Sequence, residues 1–225
     1  LSDGDSAVPA DGMAAIPRQL AAAAADAGAT IHTDEAVTEL RENRRRAVVD
    51  TDSDRRAVDA VVVATSPRSA ARLTGCESIP TEGIGCVTQH YRLPDAEPLD
   101  TGRRLLLNAG DATPNTVVPM STVAPEYAPD DTMLLNATFL SEAAMDRASE
   151  QLAAQTEETL SAWYPERSFD RLEPIRTDRI PFAQFAQPPG VHGSLPAVRD
   201  GGRRIYVAGE YTEWSSIQGA MKSGR

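Results

Sequence analysis

A chain of 225 residues, 41% hydrophobic and 24% charged, can bury one large core or two small ones and is too apolar to be disordered. Its formal net charge of −11 excludes a nucleic-acid partner, since Arg44-Arg45-Arg46 is too short to form a basic stripe and Lys222 is the single lysine. No apolar run approaches the roughly 20 residues of a bilayer-spanning helix, and Cys76 and Cys86, with no C-x-x-C spacing, read as free thiols of a reducing, cytoplasmic setting.

The first expected element is an alanine-rich helix over residues 11–27, opened near Pro17 and closed by Gly28. Ala29 to His32 reads as a strand. Ala36 to Leu40 and Ala47 to Thr51 read as a hairpin turning at 42–46, followed by a short extended piece at 56–59. Ala60 to Ala64 is apolar at every position, the pattern of a strand covered on both faces. Pro67 then suits the first turn of a helix running to Leu73, with Ser66 as its cap.

Beyond Gly85 the pattern becomes β-rich. Gly85 to Leu93, Arg104 to Asn108, Thr116 to Met120 and Thr132 to Leu140 are β-branched or alternating runs divided by Pro and Gly, with a turn-rich loop over 121–129. Ser141 to Tyr164 is expected as one amphipathic helix, with Ala144, Ala148, Leu152, Thr156 and Leu160 on its inner face. Arg176 to Phe182 is a further strand, and Gln187-Pro188-Pro189-Gly190 a rigid loop. His32, His90 and His192 match no metal-ligand spacing, so no metal site is expected.

The last strip carries most of the functional information. Ile205 to Ala208 reads as a buried strand, and Gly209 allows a turn or a close approach. Glu210 then stands just past the strand's carboxyl end, where open α/β sheets hold ligands. Ser215 and Ser216 are N-cap candidates for a helix whose face at Gly219, Ala220, Ser223 and Gly224 is small enough for a flat ligand or another backbone.

The strip resembles the C-terminal flavin motif of the FAD-dependent amine oxidase, phytoene desaturase and protoporphyrinogen oxidase superfamily: VAGE at 207–210, YTEWS at 211–215 and SIQGAMKSG at 216–224, with Glu210 in place of the usual Asp. Further pieces are similar to the same superfamily: GM at 12–13, GATI at 28–31, VTEL at 37–40 and VDAVVVATSP at 58–67. The resemblance implies a mixed α/β and α+β fold, a partial Rossmann-like FAD-binding domain with an inserted antiparallel-sheet substrate domain. Its segments would be 1–74 (FAD domain), 75–190 (substrate domain) and 191–225 (FAD domain). It further implies an FAD site made by Gly209, Glu210, Ser216, Ile217, Gln218 and Gly219, with the backbone of Val37 at the adenine and Thr65 and Ser66 near the cofactor. The partly positive helix N-terminus would stabilise negative charge on a reduced flavin.

Tyr211 and Trp214 are candidates to line the ring or the substrate mouth, or to pack at a domain interface. The implied activity is that of a phytoene-dehydrogenase-like oxidoreductase moving hydride from a small apolar substrate to flavin N5. That chemistry asks the protein for positioning and desolvation, and no catalytic side chain is identified. Amine oxidases of the superfamily place a lysine near N5, and Lys222 lies on the wrong helix for that role. The Gly-x-Gly-x-x-Gly turn that holds a pyrophosphate is absent. The chain is therefore expected to be the C-terminal portion of a longer flavoprotein, with an incomplete FAD site, no activity of its own, a tendency to self-associate, and peripheral membrane contact. The alternative from another class is a flavin-free interaction or remnant domain.

Overall fold

The computed structural model describes residues 7–110 and 113–225. Its helices are α1 (Ala15–Asp26), α2 (Pro67–Thr74), α3 (Met120–Val123), α4 (Glu142–Met145), α5 (Ser149–Trp163) and α6 (Ile217–Ser223). Its strands are β1 (Val37–Glu42), β2 (Ala47–Thr51), β3 (Arg55–Val58), β4 (Val61–Val63), β5 (Gly83–Pro94), β6 (Leu106–Leu107), β7 (Thr116–Pro119), β8 (Thr132–Phe139), β9 (Glu173–Phe185) and β10 (Ile205–Val207). The chain folds as two compact units, Leu1–Ile31 with Gly85–Pro181, and His32–Ile84 with Phe182–Arg225.

Unit one is built on a five-stranded sheet in the order β6-β7-β8-β5-β9. β8 pairs antiparallel with both β5 and β7. Strict alternation along β8 buries Met133, Leu135, Ala137 and Phe139, and β5 buries Val87, Gln89, Tyr91 and Leu93. Leu152 and Leu160 of α5 join this core. Gln89 is buried in it without being orphaned: its Nε2 donates to Ser149 O and Thr177 Oγ1, while its Oε1 accepts from Tyr91 Oη. Tyr91 Oη also meets Thr156 Oγ1 at 2.8 Å, so the network crosses from sheet to helix.

The helix expected over 141–164 is two helices. α4 ends at Met145, and α5 starts at Ser149, where Gln151 Oε1 accepts the Ala148 N–H. The loop expected over 121–129 holds α3 and a 3-10 turn at Pro125–Tyr127. Tyr127 Oη donates to Pro9 O at 2.5 Å, one bond that groups the start of the chain with this unit. α1 also belongs here. It closes as expected on Gly28, at φ +93, with Ala29 N–H donating to Ala24 O.

Unit two holds the antiparallel meander β1-β2-β3 and the parallel pair β4-β10. Val61, Val62 and Val63 stand opposite Ile205, Tyr206 and Val207, so two apolar runs far apart in sequence meet as a parallel pair. Val63, Ile205 and Val207 are buried, but Ala60, Val62 and Ala64 are exposed, so the strand expected to be covered on both faces is covered on one. Around them pack Ala70, Cys76, Ile79, Phe185 and Tyr211. α2 begins with Pro67 and ends at Gly75, at φ +68. Ser66 does not cap it: its hydroxyl faces Ser69 Oγ, and no side-chain cap bond forms.

Two expectations change. Ala29 to His32 forms no strand, and its residues are exposed. The units divide at 31/32, 84/85 and 181/182 rather than at 74/75 and 190/191. The reason lies in local ties. Ala186 N–H donates to Glu82 O, and the Phe182 ring lies so close to Gly83 that a Cβ there would stand 2.3 Å from it.

Candidate functional site

The carboxyl ends of β4 and β10 open onto a groove of about 400 Å³ within unit two. Its lining is mostly small: Ala64, Ala183, Ala208, Gly209, Ala220 and Gly224, with Thr65, Ser66 and Pro67 on one side, Phe182, and a single acid, Glu210. Ends of adjacent parallel strands are where such sheets hold ligands, because no side chain of the strand covers the exposed edge. Arg68 lies 4.8 Å from the centroid of Phe182 and fixes one wall. The carboxylate of Glu210 makes no hydrogen bond or ion pair among the described residues. Small walls and one unengaged acceptor suit a flat ring system bearing hydroxyl groups.

Local bonds explain how the groove keeps its shape. Ser223 Oγ accepts the Gly209 N–H at 3.0 Å and lies 2.6 Å from Thr212 Oγ1, tying α6 to the end of β10. Ser216 Oγ accepts the Gly219 N–H at 2.9 Å and caps α6, as expected. Gly209 is extended, and its missing Cβ makes room for the Tyr211 ring at 2.5 Å. Gly219 likewise makes room for the Trp214 carbonyl, which a Cβ would approach to 2.1 Å. Of the two uses the sequence left open for that small face, backbone packing holds at Gly219 and groove lining at Ala220 and Gly224.

The predicted residues divide accordingly. Gly209 and Glu210 line the groove, as do Thr65 and Ser66. Ser216, Ile217, Gln218 and Gly219 form the first turn of α6 without being among the lining residues, and Ile217 is exposed. Val37 starts β1 opposite Thr51, beside a register shift, outside the groove. Tyr211 corrects the lining expectation: it is 0% exposed, and its hydroxyl donates to Val63 O and Ala208 O. Burial pushes its phenol up to about 12, helped by the nearby Glu210 charge. Trp214 faces Lys222, whose Nζ sits 4.9 Å from its ring and 2.7 Å from Glu213. Ala64 and Ala208 escaped the sequence reading, although the last residue of each apolar run was a usable signal. Phe182 and Ala183 offered none.

Unit one contains a larger cavity, about 660 Å³, lined chiefly by Ala10, Gly12, Tyr91, Met120, Tyr127, Leu134 and Ile175. Its polar members are Asp11, Glu126, His90 and Asn136. His90 Nδ1 meets Asn136 Oδ1 at 2.8 Å, and its Nε2 lies 3.3 Å from Asp178. Arg176, hydrogen-bonded to Asp178, holds that carboxyl below its ordinary range. Asp11 and Glu126 hold no ion pair among the described residues. No group of side chains among those residues could hold a metal ion. Cys76 and Cys86 are free, and no described helix is long and apolar enough to cross a membrane.

The model of one protein family, the flavin containing amine oxidoreductases, matches residues 1–225, and the chain belongs to that family. No sequence among the curated proteins matches it. Similar solved structures include an oxidoreductase from Methanosarcina mazei (18% identity, TM-score 0.69), covering 95% of this chain and 53% of its own. Putrescine oxidase bound to putrescine is similar at 17% identity and TM-score 0.71, with 95% and 51% covered. Cyclohexylamine oxidase from Brevibacterium oxydans is similar at 12% and 0.63, with 95% and 51% covered. The chain thus spans about half the length of these proteins, and at such identities they show its fold. The family implies an oxidoreductase with a flavin cofactor.

Proposed function

We propose that this chain is part of an FAD-dependent oxidoreductase in which unit two contributes to the flavin site and unit one holds a largely apolar substrate. On this reading β4 and β10 belong to a Rossmann-like FAD domain, and the five-stranded sheet is an inserted substrate domain. The observation that carries it is the small-walled groove at the ends of β4 and β10, with the unengaged Glu210 carboxylate inside it. The residues present fit one ring system and its hydroxylated chain: Glu210 would accept from ribityl hydroxyls, and Ala208, Gly209, Ala220 and Gly224 would leave room for a planar ring.

A bound flavin supplies a hydride acceptor at N5. The chain's own residues position and desolvate. Phe182 and the alanines would wall the faces of a bound ring, and the Ser223 bond to Gly209 sets the height of α6 over the groove. No described residue is given the role of acid or base. In unit one the apolar walls at Met120, Leu134 and Ile175 favour a hydrocarbon surface.

A second reading concerns the substrate alone. Asp11 and Glu126 line the same cavity, whose described lining residues include no arginine or lysine, which favours a cationic nitrogen over an anionic group. The cofactor test is titration of the chain with FAD, following flavin fluorescence. Binding is expected to be weak, because a chain of net charge −11 with no glycine-rich phosphate turn repels a dianionic dinucleotide. Glu210→Ala should weaken it a further tenfold or so, the worth of a hydrogen bond to a charged group. Identical titrations of the two proteins would remove Glu210 from the site.

A further inference from the structure

The turn between β1 and β2 and the segment before β10 are far apart in sequence, and one carboxylate joins them. Glu42 accepts the Arg203 N–H at 3.0 Å and the Arg204 N–H at 2.8 Å. Gly202, at φ +147, permits this approach, since a Cβ there would stand 2.7 Å from Glu42 Oε1. Asn43 Oδ1 accepts the N–H groups of Arg45 and Arg46 at 2.8 and 3.0 Å and closes the turn. Arg204 completes the joint by donating to Asp59 O and Arg44 O. Arg44, Arg45, Arg46, Arg203 and Arg204 therefore collect at one end of unit two.

The charge here is inverted relative to the chain. Residues 42–46 and 199–204 hold six arginines against two acids, Glu42 and Asp200, in a protein of net charge −11. Arg44, Arg45 and Arg203 are exposed, and their guanidinium groups hold no ion pair or hydrogen bond among the described residues. The backbone bonds that build the cluster show that these charges are gathered by the fold itself.

We propose that this arginine turn docks the protein on an anionic lipid bilayer. Residues 42–46 (ENRRR) and 199–204 (RDGGRR) contain no apolar side chain, whereas a specific protein interface needs an apolar or aromatic centre. Single-stranded nucleic acid needs free aromatic faces, and the neighbouring Tyr206 ring already lies under Arg199, 5.4 Å away. The arginines sit on a hairpin turn and a neighbouring loop, a presentation suited to a flat layer of headgroups. Clusters of four to eight basic residues are what such layers attract, and screening over roughly 8 Å shields the acidic remainder of the chain.

The test is flotation of the full chain with vesicles of phosphatidylcholine alone, or of phosphatidylcholine with phosphatidylserine, at low and high salt. Binding is expected to the anionic vesicles only, and to be lost at high salt. Each exposed arginine removed should weaken partitioning roughly fivefold, so Arg44→Gln/Arg45→Gln/Arg203→Gln should lose about a hundredfold. A variant with the same charge change elsewhere, Arg18→Gln/Arg103→Gln/Arg104→Gln, should float like the wild type. Three results would overturn the proposal: equal binding to neutral vesicles, equal loss in the two triple variants, or retention by polyuridylate beads that anionic vesicles cannot compete away. Both triple variants must melt like the wild type, and a turn variant that melts lower contradicts the free, solvated state assigned to its side chains.

Discussion

Replacing Tyr211 separates a core role from a site role. The residue is 0% exposed, its ring fills the space left by the missing Gly209 side chain, and its hydroxyl donates to Val63 O at 3.3 Å and Ala208 O at 3.2 Å. Val63 O also accepts the Ala208 N–H at 3.0 Å, so Tyr211→Phe leaves chiefly Ala208 O without its partner. That change should cost about 1–2 kcal/mol. For a chain of this size the melting temperature should fall by roughly 3–6 °C. Tyr211→Ala removes the ring as well and should cost about 3–5 kcal/mol. The folded-state phenol is pushed up to about 12, above its ordinary 10.0, so the unfolded chain ionises first. Its stabilising effect is intact below pH 10 and is lost as pH rises toward 12. Tyr211→Phe should therefore flatten that alkaline decline. The measurements are thermal melts by circular dichroism and urea midpoints between pH 8 and 12. A Phe variant of wild-type stability, with altered flavin spectra or substrate affinity, would refute the core assignment and return Tyr211 to the groove.

Gly219→Ala should destabilise by about 2 kcal/mol or more, despite the better helix propensity of alanine, because its Cβ would meet the Trp214 carbonyl at 2.1 Å. A raised melting temperature would contradict that geometry. Asp50, 8% exposed, accepts from Arg55 and Arg41, and the Arg55 bond leads in holding its carboxyl below 3.8. The stability it gives is present above pH 3.8 and is lost as pH falls through the lower folded value. Asp50→Asn should lower the neutral-pH urea midpoint and remove part of the acid decline, and a variant with the wild-type profile would show that the bridge contributes nothing.

What could be read from the sequence follows from which signals are local. The β4-β10 pairing was legible because Val61 to Val63 and Ile205 to Ala208 are short apolar runs, but the cover on both faces that such runs suggest is missing at Val62, which is 62% exposed. Gly209 and Glu210 were legible because an acid after a buried strand is rare enough to notice. The break between α4 and α5 was hidden, since residues 146–148 contain neither Gly nor Pro. Tyr211 was misread because its sequence neighbours, Glu210 and Thr212, are polar, while its partners Val63 and Cys76 are distant in the chain. The division of the chain into units rests on ties such as Tyr127 to Pro9 and Ala186 to Glu82, which leave no trace in periodicity.

The glycines of the C-terminal strip change how such a motif should be weighed. Gly209 and Gly219 are required by this chain's own packing, one under Tyr211 and one over Trp214. Ser216 and Ser223 are likewise engaged internally, capping α6 and binding it to Gly209. The side-chain chemistry left facing the groove comes down to Glu210 and the hydroxyl pair Thr65 and Ser66. Most of the motif thus preserves the shape that presents those few groups, and only a small part of it is available to touch a ligand. On the proposed reading such a site would position a reactive cofactor more than react itself, a role that needs no acid–base pair. On the same reading specificity lies elsewhere: the walls of the groove would select for flatness and size, whereas the unit-one cavity, with Asp11 and Glu126 among apolar residues, would carry the side chains that tell one substrate from another.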